Sequence, residues 1–153
     1  MNYKEPTDLE EFDQMLELLQ KELEGFENIE TLQTASGQIN TFDLNQAMIL
    51  RQNAMRAIVD ILGKARQLRN LAKRWYDLTR AKERLQANQM SEIYASDGDR
   101  KAYAEMKAEP YRIRHDIART FVDCVYDQRK RLEDYGEDLM QIGHNIRKEM
   151  TLG

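Results

Sequence analysis

From Asp43 to about residue 88 the chain repeats one spacing. Ala47, Leu50, Ala54, Ile58, Ile61, Ala65, Leu68, Ala72, Trp75 and Thr79 follow one another at intervals of three or four residues. That period places all ten on one side of an α-helix. Within the run Gly63 is the sole breaker, and the 153 residues hold only 7 Gly and 2 Pro. A helix of about 45 residues would be ~65 Å long at 1.5 Å per residue. An apolar stripe of that length needs a partner along its whole course. A charged fraction of 33% with so few helix breakers points to long amphipathic helices and away from a sandwich or an α/β fold. The expected fold is all-α: two long helices in an antiparallel, coiled-coil-like hairpin, with shorter N-terminal and connecting helices, forming a homo-oligomer.

The remaining segments fit that plan. Residues 1–30 predict an acidic amphipathic helix. Thr7 and Glu10 have the spacing of a capping box, and Leu9, Phe12, Leu16, Leu19, Leu23 and Phe26 form a heptad seam ending near residue 26. Residues 31–42, with Ser36-Gly37 as a turn signal, predict a connector. The hairpin core spans 43–153. Asp43 is the expected N-cap of a basic helix over 43–88. Residues 89–109 predict a break, with a turn at Ser96-Asp97-Gly98-Asp99 and a short helix near 100–108 capped by Asp99. Pro110 suits the first position of a second long helix, running to about 150. Its stripe is Ile113, Ile117, Phe121, Cys124, Gln128, Leu132, Tyr135, Leu139, Ile142 and Ile146. Gln128 is the one polar member, a residue type that fixes register or oligomeric state. Gly136 and Gly143 share a face, either admitting a neighbouring helix closely or acting as mild defects. Self-association is expected through Phe121, Val125, Leu132, Tyr135, Leu139, Ile142 and Ile146.

Catalytic chemistry finds little purchase. His115 and His144 lie about eight turns apart on one predicted helix, too far to cooperate within a subunit. The single cysteine, Cys124, excludes an internal disulfide, and at a seam position it reads as a small hydrophobe. Asp97 and Asp99 lack the glycine and glutamate spacing of a calcium loop. Neither a P-loop nor a dinucleotide-binding glycine motif occurs. The expectation is a non-enzyme with no catalytic residues, no metal and no cofactor. The opening MNYKEPTDLEEF has no apolar core of a secretory signal. No stretch approaches the roughly 18 apolar residues of a membrane span. A soluble, cytoplasmic setting without membrane contact is expected.

Charge is the informative feature. Residues 1–50 carry 2 basic and 11 acidic side chains, residues 51–84 carry 10 and 3, and residues 85–153 carry 11 and 13. Segregation of this kind marks an interaction surface, unless the acidic first helix folds onto the basic one and neutralises it. At about 100° per residue, Arg66, Arg69, Lys73, Arg80 and Arg84 fall within a sector of about 60°, a basic stripe interrupted only by Asp77 beside it. Lys64, Arg74 and Lys82 widen the positive surface. Cations repeating along a helix suit a phosphodiester backbone, and an adjacent aromatic can stack an unpaired base. Trp75 and Tyr76 stand there; Trp75, in the seam itself, fits core packing better, while Tyr76 lies between the seam and the cations. The expected ligand is single-stranded DNA.

The arrangement resembles phage recombination mediators of the UvsY type. The resemblance rests on LAKRWYDL at 71–78, the polar break SDGDRKAYAEMK, and the C-terminal GEDLMQIGHNIRKEM at 136–150. It implies a small, helical, ring-forming protein in the host cytoplasm. Such a protein binds single-stranded DNA and helps load a RecA-like recombinase onto strands covered by single-strand-binding protein. Lys73 and Arg74 would then be DNA contacts. Two other readings stand beside it: an acidic protein-binding module acting as inhibitor or DNA mimic, and a structural coiled-coil subunit.

Overall fold

A computed structural model describes residues 3–27, 29, 41–90 and 92–152. Among these the chain is all-α, with α1 over Leu9–Glu24, α2 over Thr41–Gln89 and α3 over Asp97–Leu152. The two long helices, of 49 and 56 residues, pack against each other. The expected turn at Ser36-Gly37 lies outside the described residues.

Two compact units emerge, one of Met1–Leu16 with Lys64–Val122, the other of Glu17–Gly63 with Asp123–Gly153. Within each unit α2 and α3 run antiparallel. In the first, Arg84 of α2 meets Asp97 of α3 and Arg80 meets Glu105. In the second, Arg51 meets Leu132, and Leu44 lies against Gly143.

The start of α1 is one residue later than the capping-box reading. Asp8 is the cap: its Oδ1 accepts the Glu11 amide at 2.8 Å. Glu11 reaches back, its Oε2 accepting the Thr7 amide at 2.8 Å and the Thr7 hydroxyl at 3.0 Å. Those bonds lower the Glu11 pKa, the Thr7 amide being the chief cause. Phe12, Leu16, Leu19 and Leu23 are buried along the inner side of α1. Each contributes about 1.5–3 kcal/mol by leaving water. Arg114 adds a paired clamp on Asp13, with Nε–Oδ1 at 3.0 Å and Nη2–Oδ2 at 2.8 Å. An ion pair this exposed on one side contributes up to about 1 kcal/mol. Burial therefore holds α1, and the clamp sets its position.

Helix α2 starts at Thr41, so Asp43 stands in its first turn and not at its cap. Leu50 is an exception to the α2 stripe, at 61% exposure. Arg51 takes the inward place instead: its Nε donates to the Leu132 carbonyl at 2.9 Å, and its guanidinium fills the notch above Gly136. Gly136 thus admits a neighbour closely. Gly143 does the same for Leu44, which a Cβ would meet at 3.3 Å.

Helix α3 departs most from expectation. It begins at Asp97, with the Ser96 hydroxyl accepting the Asp99 amide at 3.0 Å, and continues unbroken past Pro110. There is no separate short helix over 100–108. An interior proline costs about 3 kcal/mol, offset here by burial of Ala104 and Ala108 before it and Ala118 after it. The buried face of α3 is also rotated from the predicted stripe. Ile113 and Ile117 are exposed, Cys124 is exposed, and Val122 and Val125 are buried in their stead. Phe121, Val125, Leu132, Tyr135 and Leu139 are buried inside a single chain, and Ile142 and Ile146 pack against the cluster of Leu44, Ala47, Tyr135 and Leu139. Gln128, the buried polar residue of this face, donates through Nε2 to the Phe26 carbonyl at 2.8 Å, tying down the end of α1.

Candidate nucleic-acid interface

All ten cationic and aromatic residues singled out on α2, from Lys64 to Arg84, belong to the first unit. The helix divides them between two sides. Trp75 faces α1, its ring 5.9 Å from Phe12 and 6.0 Å from Tyr111. It borders a cavity of about 520 Å³ that Leu9, Leu78, Thr79 and Tyr111 also line. Arg74 lies on this side too, donating through Nη2 to Glu5 at 3.4 Å, and by helical phase so do Lys64 and Lys82. Trp75 is therefore a packing residue.

Arg66, Arg69, Lys73, Tyr76, Arg80 and Arg84 occupy the opposite side, next to α3. Among the described residues α1 forms no ion pair with Arg69, Lys73, Arg80 or Arg84; it directs Asp13 to Arg114. Carboxylates approach Arg80 and Arg84 from both long helices: Asp77 of α2 stands 4.0 Å from Arg80 Nη2, and the rest come from α3. Arg84 Nη2 stands 3.0 Å from Asp97 Oδ1, and Lys101 Nζ 3.4 Å from Asp97 Oδ2. Arg80 Nη1 stands 3.3 Å from Glu105 Oε1. The Tyr76 hydroxyl donates to Glu105 Oε2 at 2.6 Å, and Arg80 lies 5.1 Å over the Tyr76 ring. This bond is the first cause that lowers the Glu105 pKa and raises that of Tyr76. The bond from Arg84 is what chiefly lowers Asp97.

The other end is different. His115 of α3 feels the charges of Arg119 on its own helix and of Lys73 and Arg69 on α2. Its pKa is lowered, first by burial and then by these three cations, against the opposing pull of Asp116. The Nδ1 atom is 3.8 Å from Asp116 Oδ1, a carboxylate already shared with Arg112. Arg69, Lys73 and Arg119 form no ion pair with any described residue. Arg80 and Arg84 are thus clamped by carboxylates, whereas Arg69 and Lys73 are open. The open half draws on two helices, and α3's contribution, His115 and Arg119, was missed in the sequence. A repeat of the angular projection along α3 would have shown their phase, but only the pairing register brings them beside Arg69 and Lys73.

No group of three or more His, Cys, Asp or Glu side chains that could hold a metal occurs among the described residues. No described helix is long and apolar enough to cross a membrane. No family model, curated protein or solved structure matches the chain.

Proposed function

We propose that this protein is a non-enzymatic binder of single-stranded DNA. The observation that carries the reading is the open cluster of Arg69, Lys73 and Arg119 around His115. Arg69, Lys73 and Arg119 all act on His115, opposed by Asp116, and none of the three is in an ion pair with a described residue. A phosphodiester backbone can therefore pair with them while releasing its own counterions. Tyr76, at the junction of the open and clamped halves, is the aromatic placed to stack a base. In keeping with the UvsY-type resemblance, the role we assign is recombination mediation. The protein would self-assemble, hold the strand and assist a RecA-like recombinase in displacing single-strand-binding protein.

Anisotropy titration of a labelled oligo-dT tests the binding step. Wild-type affinity is expected to fall with salt, and the triple variant Arg69→Gln, Lys73→Gln, Arg119→Gln to flatten the logarithmic slope by about 2, at roughly 0.7 per phosphate contact on a single strand. Affinity that is absent at low salt, or indifferent to salt, overturns the reading.

The acidic-module alternative has one observation in its favour: Glu10, Glu17, Glu22 and Glu24 lie exposed on the outer side of α1. Because α1 is part of the core, it is tested by neutralising those glutamates and not by deleting the helix. On the DNA-binding reading, oligo-dT affinity survives that change.

A further inference from the structure

We infer that Glu105 and Asp97 are internal stand-ins for phosphate, which occupy Arg80, Tyr76 and Arg84 in the free protein and give them up to the strand. The inference rests on the DNA-binding reading and extends the site from the open cluster to the clamped end of the same stripe.

The geometry has the form of anion recognition. A single carboxylate, Glu105, receives the Tyr76 hydroxyl on Oε2 at 2.6 Å and Arg80 Nη1 on Oε1 at 3.3 Å. A second, Asp97, receives Arg84 on one oxygen and Lys101 on the other. Two anions, eight residues apart on α3, therefore hold three cations and a phenol: Tyr76, Arg80 and Arg84 at successive turns of α2, and Lys101 of α3. Between them lies a cleft of about 540 Å³, bordered by Asp77, Arg80, Arg84, Lys101 and Glu105, with Ala81 and the buried Ala104 as its small lining residues. These small side chains leave room for a phosphate between the helices.

The contacts are strong enough to order the arginines and weak enough to exchange. All four charged partners are 44–65% exposed, and pairs in that setting are screened by water. A phosphodiester offers the same oxygen geometry, and counterion release adds a gain that an internal carboxylate lacks. Departure of Glu105 also frees the Tyr76 hydroxyl, so stacking by its ring becomes coupled to backbone binding. The clamp fixes these side chains on the groove between the helices and lowers affinity for isolated short anions.

The test is oligo-dT titration of the full chain bearing Glu105→Gln, Asp97→Asn, or both. Each is expected to tighten binding about two- to fivefold at low salt, the strength of an exposed ion pair. The double variant is expected to steepen the salt slope by about 1.4, roughly 0.7 for each freed arginine. Glu10→Gln removes the same charge from the far side of α1 and is expected to change little. In an Arg80→Gln background the gain from Glu105→Gln is expected to vanish, which a diffuse charge effect would not produce. Melting temperatures within a few degrees of wild type show that the variants are folded. If wild type binds with normal salt dependence and neither carboxylate variant alters affinity or slope, the stand-in idea falls while the DNA-binding reading stands. If Glu10→Gln tightens binding as much as Glu105→Gln, the stand-in idea likewise falls. If no protein binds oligo-dT at low salt, both fall together.

Discussion

Gly63 and Gly136 both lie inside long helices, and they are not equivalent. Nothing stands within 4 Å of where a Cβ at Gly63 would project, whereas one at Gly136 would meet Arg51 Cζ at 2.5 Å. Alanine gains up to about 1 kcal/mol over glycine in a helix interior. Gly63→Ala is therefore expected to raise unfolding stability by about 0.5–1 kcal/mol in urea titration. Gly136→Ala sets the same gain against displacement of Arg51 and its hydrogen bond to Leu132, worth about 1.5–3 kcal/mol when the donor is charged, and is expected to destabilise by about 1 kcal/mol. Equal effects at the two sites would refute the notch. The exchange of Leu50 for Arg51 at the buried position was illegible in the sequence for the same reason. On α2 alone the 3–4 spacing selects leucine, and only a glycine 85 positions away on α3 makes room for the guanidinium.

At the scale of the element, α1 is fixed at both ends by polar contacts and along its length by leucines. Gln128 is the contact to remove. Gln128→Ala leaves the Phe26 carbonyl without its donor and opens a small void, and is expected to cost about 1–3 kcal/mol. The loss should concentrate in faster amide exchange over the C-terminal turn of α1; a uniform change across all three helices would mean that Gln128 does not anchor it. The elements themselves were legible where period alone decides. Both α1 and α2 follow from the spacing of apolar residues, within two residues at the ends that can be compared. The early part of α3 was not legible, because Ser96-Asp97-Gly98-Asp99 and Pro110 are local stop signals. The continuity of α3 comes from alanines buried against α2, a non-local cause. The rotated face of α3 has a similar origin: Ile113 and Ile117 are the larger hydrophobes, but small and β-branched residues at 118, 122 and 125 allow closer approach.

For the molecule as a whole, charge segregation in the sequence located the candidate site but not its division. Which cations are clamped depends on the α2–α3 register, which the sequence does not state. The open half carries a pH dependence. Burial and three cations keep His115 neutral near pH 7, and a phosphate placed beside it would favour the protonated form. Oligo-dT affinity should thus increase as pH falls from about 7.5 through the ordinary histidine value of about 6.5. His115→Gln should abolish that increase. Stability of the unliganded protein should move the opposite way. A histidine with lowered folded pKa binds fewer protons than the unfolded chain, so stability declines as pH drops below about 6.5. Pairs of denaturation and binding curves between pH 5.5 and 7.5 check both signs; affinity that is flat or falls on acidification contradicts the placement of phosphate at this cluster. Finally, the ring wedged between Phe12 and Tyr111 belongs to the chain's single tryptophan. Its ultraviolet emission is therefore an unlabelled optical gauge of whether α1 stays docked. A red shift on adding DNA would report undocking, and an unchanged spectrum would report engagement on the far side alone.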